Sequence, residues 1–220
     1  MLKTQLATRC DAQLDEASTA FRTDRDDMHI AVVPYNGKGL STLPEVRHLA
    51  LKSHLAEIAD EGFADGVPDA ESVARERQSI DLPEAKATDA ACGTCKGNCC
   101  KAGGPTWGFL TVTDVQRFRI RYPECDAAGF SAYYLSFLPD ESVPDNCVFQ
   151  GPAGCTLDRG DRASLCNSFL CRGVRRLLAD IDALGAAPTT IIAHTSGEPE
   201  AIGLFDPASG ELAQLATGVT

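Results

Sequence analysis

Eight cysteines in two tight groups constrain this chain more than any other feature. Cys92, Cys95, Cys99 and Cys100 lie within the nine residues CGTCKGNCC, and Cys147, Cys155, Cys166 and Cys171 within CVFQGPAGCTLDRGDRASLCNSFLC. Thiols at this density either pair as disulfides or gather on a soft cation. The N-terminal stretch MLKTQLATRCDAQLDEAST has no apolar signal core and meets Asp11 early. We therefore expect a cytoplasmic protein with reduced thiols, and metal binding in preference to a disulfide framework. Redox catalysis by Cys92-Gly-Thr-Cys95 would call for a surrounding βαβ pattern, which the sequence does not show.

Soft thiolates suit zinc and iron–sulfur iron. Gly93, Gly97, Gly103 and Gly104 let the backbone turn tightly around an ion, and amides in such a loop can point at the sulfurs. Lys96, Lys101, Arg159, Arg162 and Arg172 flank the cysteines and would favour thiolates. Eight thiolates exceed the needs of one tetrahedral zinc. The alternatives are two four-cysteine zinc sites, two iron–sulfur clusters, or one polynuclear centre with some sulfurs outside it. Neighbouring side chains diverge, so the doublet Cys99–Cys100 leans toward a polynuclear iron–sulfur centre. The remaining cysteines, Cys10 and Cys125, are read as ordinary thiols, Cys10 as a small buried residue on a helix.

The chain has 220 residues, 44% hydrophobic and 23% charged, enough to bury a core without metal. Its net charge of -11 argues against a nucleic-acid or anionic-membrane surface. No apolar run approaches the roughly 18 residues of a spanning helix.

Periodicity predicts a helix over 8–22, with Cys10, Leu14, Ala17 and Phe21 on one face. A short strand follows at 30–35. Thr42 and Glu45 form a capping-box pattern ahead of a helix carrying Leu51, Leu55 and Ile58. Arg47, His48, Lys52 and His54 read as its solvated basic face. Residues 64–90 are expected to hold a short helix and then an approach to the first cysteine group. Thr113 and Gln116 form a second capping box, with Val115, Phe118 and Tyr122 inward and Pro123 as the stop. Residues 130–138, rich in aromatics, add a helix or turn, and 174–184, with Val174, Leu177, Leu178, Ile181 and Leu184 inward, a helix. TTIIAHT reads as a strand bearing a structural His194, and AIGLF-DPASG-ELAQL as a hairpin. The expected class is α+β, mainly helical, with a cysteine-rich metal-binding module and a small C-terminal sheet. The expected regions are 1–88, N-terminal and helical; 89–187, the cysteine module; and 188–220, a short β region.

Residues 92–171 resemble the YkgJ-type cysteine-cluster family, described as a zinc- or iron-chelating domain. The likeness runs through Cys92, Cys95 and Cys99–Cys100, then LTVTDVQRF with its helix-starting acid Asp114. It continues with Cys147-Val-Phe149, Gly154-Cys155, Arg162, Cys166 and Phe169-x-Cys171. The family commonly has Arg-Pro before the penultimate cysteine and Arg after it. Here Ala163 follows Arg162, and Asn167 follows Cys166. The resemblance implies a metal held by the cysteines. Flagellin lysine N-methylases carry a similar module, which implies a second possibility, S-adenosylmethionine-dependent methylation of protein lysine around an iron–sulfur centre. A third is an interaction module in which the metal is structural and residues 1–88 or 188–220 meet a partner. No residue outside the cysteines is singled out for catalysis, and Asp158, Asp161 and Arg162 read as supports or surface.

Overall fold

The structure is a computed structural model that describes residues 1–64, 66 and 83–215. Most of the polar stretch expected to hold a short helix within 64–90 lies outside the described residues. In chain order the elements begin with α1 (Leu2–Arg9), α2 (Asp11–Phe21), β1 (His29–Pro34), β2 (Ser41–Thr42), α3 (Glu45–Ala64) and α4 (Pro83–Cys95). They continue with α5 (Val112–Arg121), α6 (Ala127–Leu135), β3 (Glu141–Ser142), β4 (Gln150–Gly151), β5 (Gly154–Cys155) and α7 (Ser164–Ser168). The last are α8 (Arg172–Leu184), β6 (Thr189–Thr195), β7 (Glu198–Phe205) and β8 (Leu212–Leu215). The class is α+β, mainly helical, with a mixed four-stranded sheet. Among the described residues no helix is long and apolar enough to cross a membrane.

The chain forms two compact units, neither of them a continuous stretch. The first comprises Met1–Gly37, Leu82–Asn98 and Leu170–Thr220. Its sheet has the order β1-β6-β7-β8, with β1 parallel to β6 and the other pairs antiparallel. Strand alternation assigns side chains to two faces. Ala31, Val33, Ile191, Ala193 and Phe205 pack with Ala87, Ala91, Val174, Leu177 and Ile181 of α4 and α8. Ile192, Ile202 and Leu204 pack with Leu6, Cys10 and Ala17 of the N-terminal helices and with Met28. Both helices on the first face are seated without a gap. A Cβ on Gly173 of α8 would fall 2.1 Å from the Val32 carbonyl oxygen, and one on Gly203 of β7 would fall 2.2 Å from Thr94 Oγ1 of α4.

The single helix expected over 8–22 is two, α1 and α2, which meet at Cys10. Cys10 is buried against the sheet, as an apolar thiol would be. The C-terminal strands expected from sequence are present. The turn Ser196–Gly197 has positive φ at both residues, as a two-residue hairpin requires. Strand β1 joins them from the other end of the chain, and α4 runs from Pro83 through Cys95. For both reasons the units cut across the boundaries at 88 and 187. Leu184, expected inward, is 77% exposed at the end of α8.

The second unit comprises Lys38–Asp81 and Cys99–Phe169. Helix α3 packs on α5 and α6 around Leu51, Leu55, Leu110, Val115, Phe118, Phe130, Tyr134 and Phe149. Both expected capping boxes shift. Thr42 pairs with Glu141 in a short ladder, and α3 begins at Glu45, with the Pro44 carbonyl accepting from the Arg47 and His48 amides. The cap of α5 lies two residues before the Thr113–Gln116 pattern. Thr111 is the N-cap in extended conformation, and its amide donates to Asp114 Oδ2 at 2.7 Å.

Candidate metal centre

None of the ten cysteines is in a disulfide. The motif CGTCKGNCC, expected to be a loop, is helical in its first half. Cys92 and Cys95 occupy the last turn of α4, which the left-handed pair Lys96–Gly97 (φ 52° and 62°) brings to a stop. The Gly97 amide bonds back to the Cys92 carbonyl, and the Asn98 amide donates to Cys95 Sγ at 3.2 Å. Cys171 is the N-cap of α8 and packs against the apolar cluster that contains Cys95. These three cysteines belong to the first unit. The unit boundary falls between Asn98 and Cys99, so Cys99, Cys100, Cys147, Cys155 and Cys166 belong to the second.

Within the second unit, members of the two sequence groups come together. The Cys147 amide donates to the Cys100 carbonyl at 3.0 Å. A Cβ on Gly103 would stand 3.2 Å from Cys147 Cβ, and one on Gly104 would stand 2.8 Å from the Asp145 carbonyl oxygen. A side chain at 104 would force the 145–147 turn away, and one at 103 would crowd it. Cys155 lies in β5 opposite Gln150, whose amide bonds to the Cys147 carbonyl. Cys100 and Cys155 pack against the cluster that includes buried Cys147. Cys166, on α7, is exposed, and its thiol donates to the Gly108 carbonyl at 3.6 Å.

The thiols sense one another electrostatically. Burial pushes Cys147 up to about 12, and the nearby sulfurs of Cys155 and Cys166 add to the rise. Burial likewise raises Cys166 to about 11, reinforced by Cys155, Asp114 and Cys99 and opposed by Arg162. A hydrogen bond from Cys100 holds Cys99 down at about 7. Cys99, Cys147, Cys155 and Cys166 thus form a set in which each added negative charge disfavours the next. As placed, no three His, Cys, Asp or Glu side chains among the described residues stand close enough together to hold a metal ion. The chemistry of the donor set fits a thiophilic ion: sulfur ligands only and reduced, with Cys147 buried, Cys99 and Cys155 half-buried and Cys166 at the surface.

A left-handed run covers the thiols. Trp107, Gly108 and Phe109 have φ of 50°, 71° and 60°. Two bulky aromatics in this region are unusual and strained. A Cβ on Gly108 would lie 3.4 Å from Cys147 Sγ. Trp107 is the only tryptophan in the chain.

The span between Cys155 and Cys166 is fixed by a buried polar network. The Asp161 carboxylate accepts from Arg121 Nη1 and from Tyr133 OH, and Tyr134 OH donates to the Asp161 carbonyl at 3.0 Å. Arg117 pairs with Asp114 and donates to the Arg162 carbonyl at 2.8 Å. Asp161 and Arg162 are therefore supports, while Asp158 is exposed. His194 accepts from the Gly197 amide, a structural role.

Two residues read as a solvated basic face have other work. Arg47 Nη2 donates to the Asn146 carbonyl at 2.6 Å and to the Gly104 carbonyl at 3.4 Å. His54 Nε2 bonds the Leu110 carbonyl at 2.9 Å, which requires the proton on that nitrogen. The two lie seven apart, two turns along one helix face, but their partners are main-chain carbonyls, which residue types do not mark. No family model, no curated protein and no solved structure matches the chain.

Proposed function

We propose that this protein binds a thiophilic metal, zinc or an iron–sulfur cluster, with Cys99, Cys147, Cys155 and Cys166 as the nucleus of the site. The observation that carries this reading is the meeting of both sequence groups in one unit, at the bond between the Cys147 amide and the Cys100 carbonyl. Cys100 is a further candidate of the same unit, and Cys92, Cys95 and Cys171 are the candidate ligands that belong to the other unit. Bound zinc would supply a fixed tetrahedral centre, and an iron–sulfur cluster a one-electron carrier. The residues of the chain do the rest. The aromatic core excludes water from Cys147. Arg47 and Arg162 offset negative charge at Cys147 and Cys166. The Asp161 network holds the Cys155–Cys166 span. Binding displaces protons from Cys147 and Cys166, so affinity rises with pH. Ligating sulfurs must stay reduced, which suits a reducing compartment such as the cytoplasm.

Trp107 provides the test. Zinc added to the metal-free protein under argon should bind with fixed stoichiometry, leaving Trp107 emission strong. Reconstitution with iron and sulfide should quench it if the native group is a cluster. Failure of both metals to bind, with all thiols still reduced, would overturn the reading.

A further inference from the structure

We infer that Arg47 is a positioning residue of the thiol centre, tying its two halves together and supplying its fixed counter-charge; the inference rests on the metal-binding reading above. Arg47 lies in the first turn of α3, a region the cysteine pattern gives no reason to include. Its Nη2 reaches the Asn146 carbonyl at 2.6 Å and the Gly104 carbonyl at 3.4 Å. The first carbonyl immediately precedes Cys147. The second closes the turn that begins with Cys99 and Cys100. One guanidinium therefore spans both cysteine groups where they are pressed together.

The rest of α3 supports the same placement. His54 lies two turns further along the same face and donates to the Leu110 carbonyl. Arg47 and His54 thus bracket the segment 104–110, with the left-handed run Trp107–Phe109 between them. That run backs onto Cys147 Sγ through Gly108 and receives the Cys166 thiol on its carbonyl. A strained turn holds its shape only when its surroundings over-determine it. The two α3 side chains fix it at both ends.

Charge gives Arg47 its second role. Four thiolates gathered on a dication leave net negative charge, and Cys147, the buried member, feels it with least help from water. A guanidinium stays charged at every accessible pH, and that of Arg47, bonded to the carbonyl next to Cys147, favours the thiolate there. Hydrogen bonding and charge separate by substitution. Gln keeps an amide donor for a carbonyl and loses the charge. Lys keeps the charge and a donor. Lys52, an exposed cation on the same helix, is the control.

The experiment is zinc titration of the metal-free full chain against a chromophoric chelator, for wild type and for Arg47→Gln, Arg47→Lys and Lys52→Gln. Melting curves of each metal-free protein accompany it. We expect Arg47→Gln to weaken zinc binding by about 10- to 100-fold, Arg47→Lys to recover most of that loss, and Lys52→Gln to match wild type. A merely structural Arg47 would lower the metal-free melting temperature while leaving zinc affinity unchanged. Wild type that binds zinc with Arg47→Gln binding equally tightly overturns this inference alone, as does Arg47→Lys binding no better than Arg47→Gln. Wild type that binds no zinc overturns the site and this inference with it.

Discussion

Gly108 shows how closely the backbone approaches the sulfurs. Its φ of 71° suits glycine, and an added Cβ would lie 3.3 Å from the Phe149 ring and 3.4 Å from Cys147 Sγ. Gly108→Ala should cost the metal-free protein about 1–3 kcal/mol, read as a lower urea midpoint. Tyr133 and Tyr134 set the alkaline limit. Burial raises both hydroxyls above the ordinary tyrosine value of 10, with the Tyr122 and Asp161 hydrogen bonds adding to Tyr133 and the charges of Asp114 and Asp161 to Tyr134. Below pH about 10 both states keep the protons and the stabilisation is full. Above it the unfolded chain ionises first, so stability falls as pH rises toward the folded-state values. Cys147 and Cys166 act in the same direction in the metal-free protein, their folded values being raised to about 12 and about 11. The urea midpoint should therefore drop steadily above pH about 9, and Tyr134→Phe should flatten the part above pH about 10.

At the scale of elements, helix ends test the local rules. Thr111→Ala removes the N-cap of α5 and should cost about 1 kcal/mol. Thr113→Ala, at the position the sequence pattern pointed to, should cost much less. Both Thr111–Asp114 and Thr113–Gln116 satisfy the spacing of a capping box, and only the extended backbone at Thr111 separates them. Sequence periodicity was legible where one face is apolar. The inward Val174, Leu177 and Ile181 of α8 and Val115 and Phe118 of α5 were read correctly. It failed at α4, where cysteines and glycines suggest a loop. Burial of Ala87, Ala90 and Ala91 against the sheet overrides that weak preference. Gly203→Ala should therefore push α4 off β7 through Thr94, lowering stability by about 1–3 kcal/mol.

At the scale of the molecule, the parallel pairing of β1 with β6 was illegible because it joins His29 to Thr189. No local pattern reports such a pairing. The two cysteine groups were legible as a pattern, but the division of their members between two units was not, since it depends on where the sheet recruits α4 and α8. Arg47 was missed for a related reason: its partners are main-chain carbonyls, which leave no trace in residue types. Placement also separates the cysteines by consequence. Cys147→Ser and Cys166→Ser should lose bound metal. Cys10→Ser should keep it while melting lower, because its hydroxyl is buried among Leu6, Met28 and Ile192. The most direct measurement is elemental analysis with a visible spectrum on protein purified anaerobically without added metal. Stoichiometric metal is expected, either zinc in a colourless protein or iron with sulfide in a brown one. A folded protein with neither metal would contradict it.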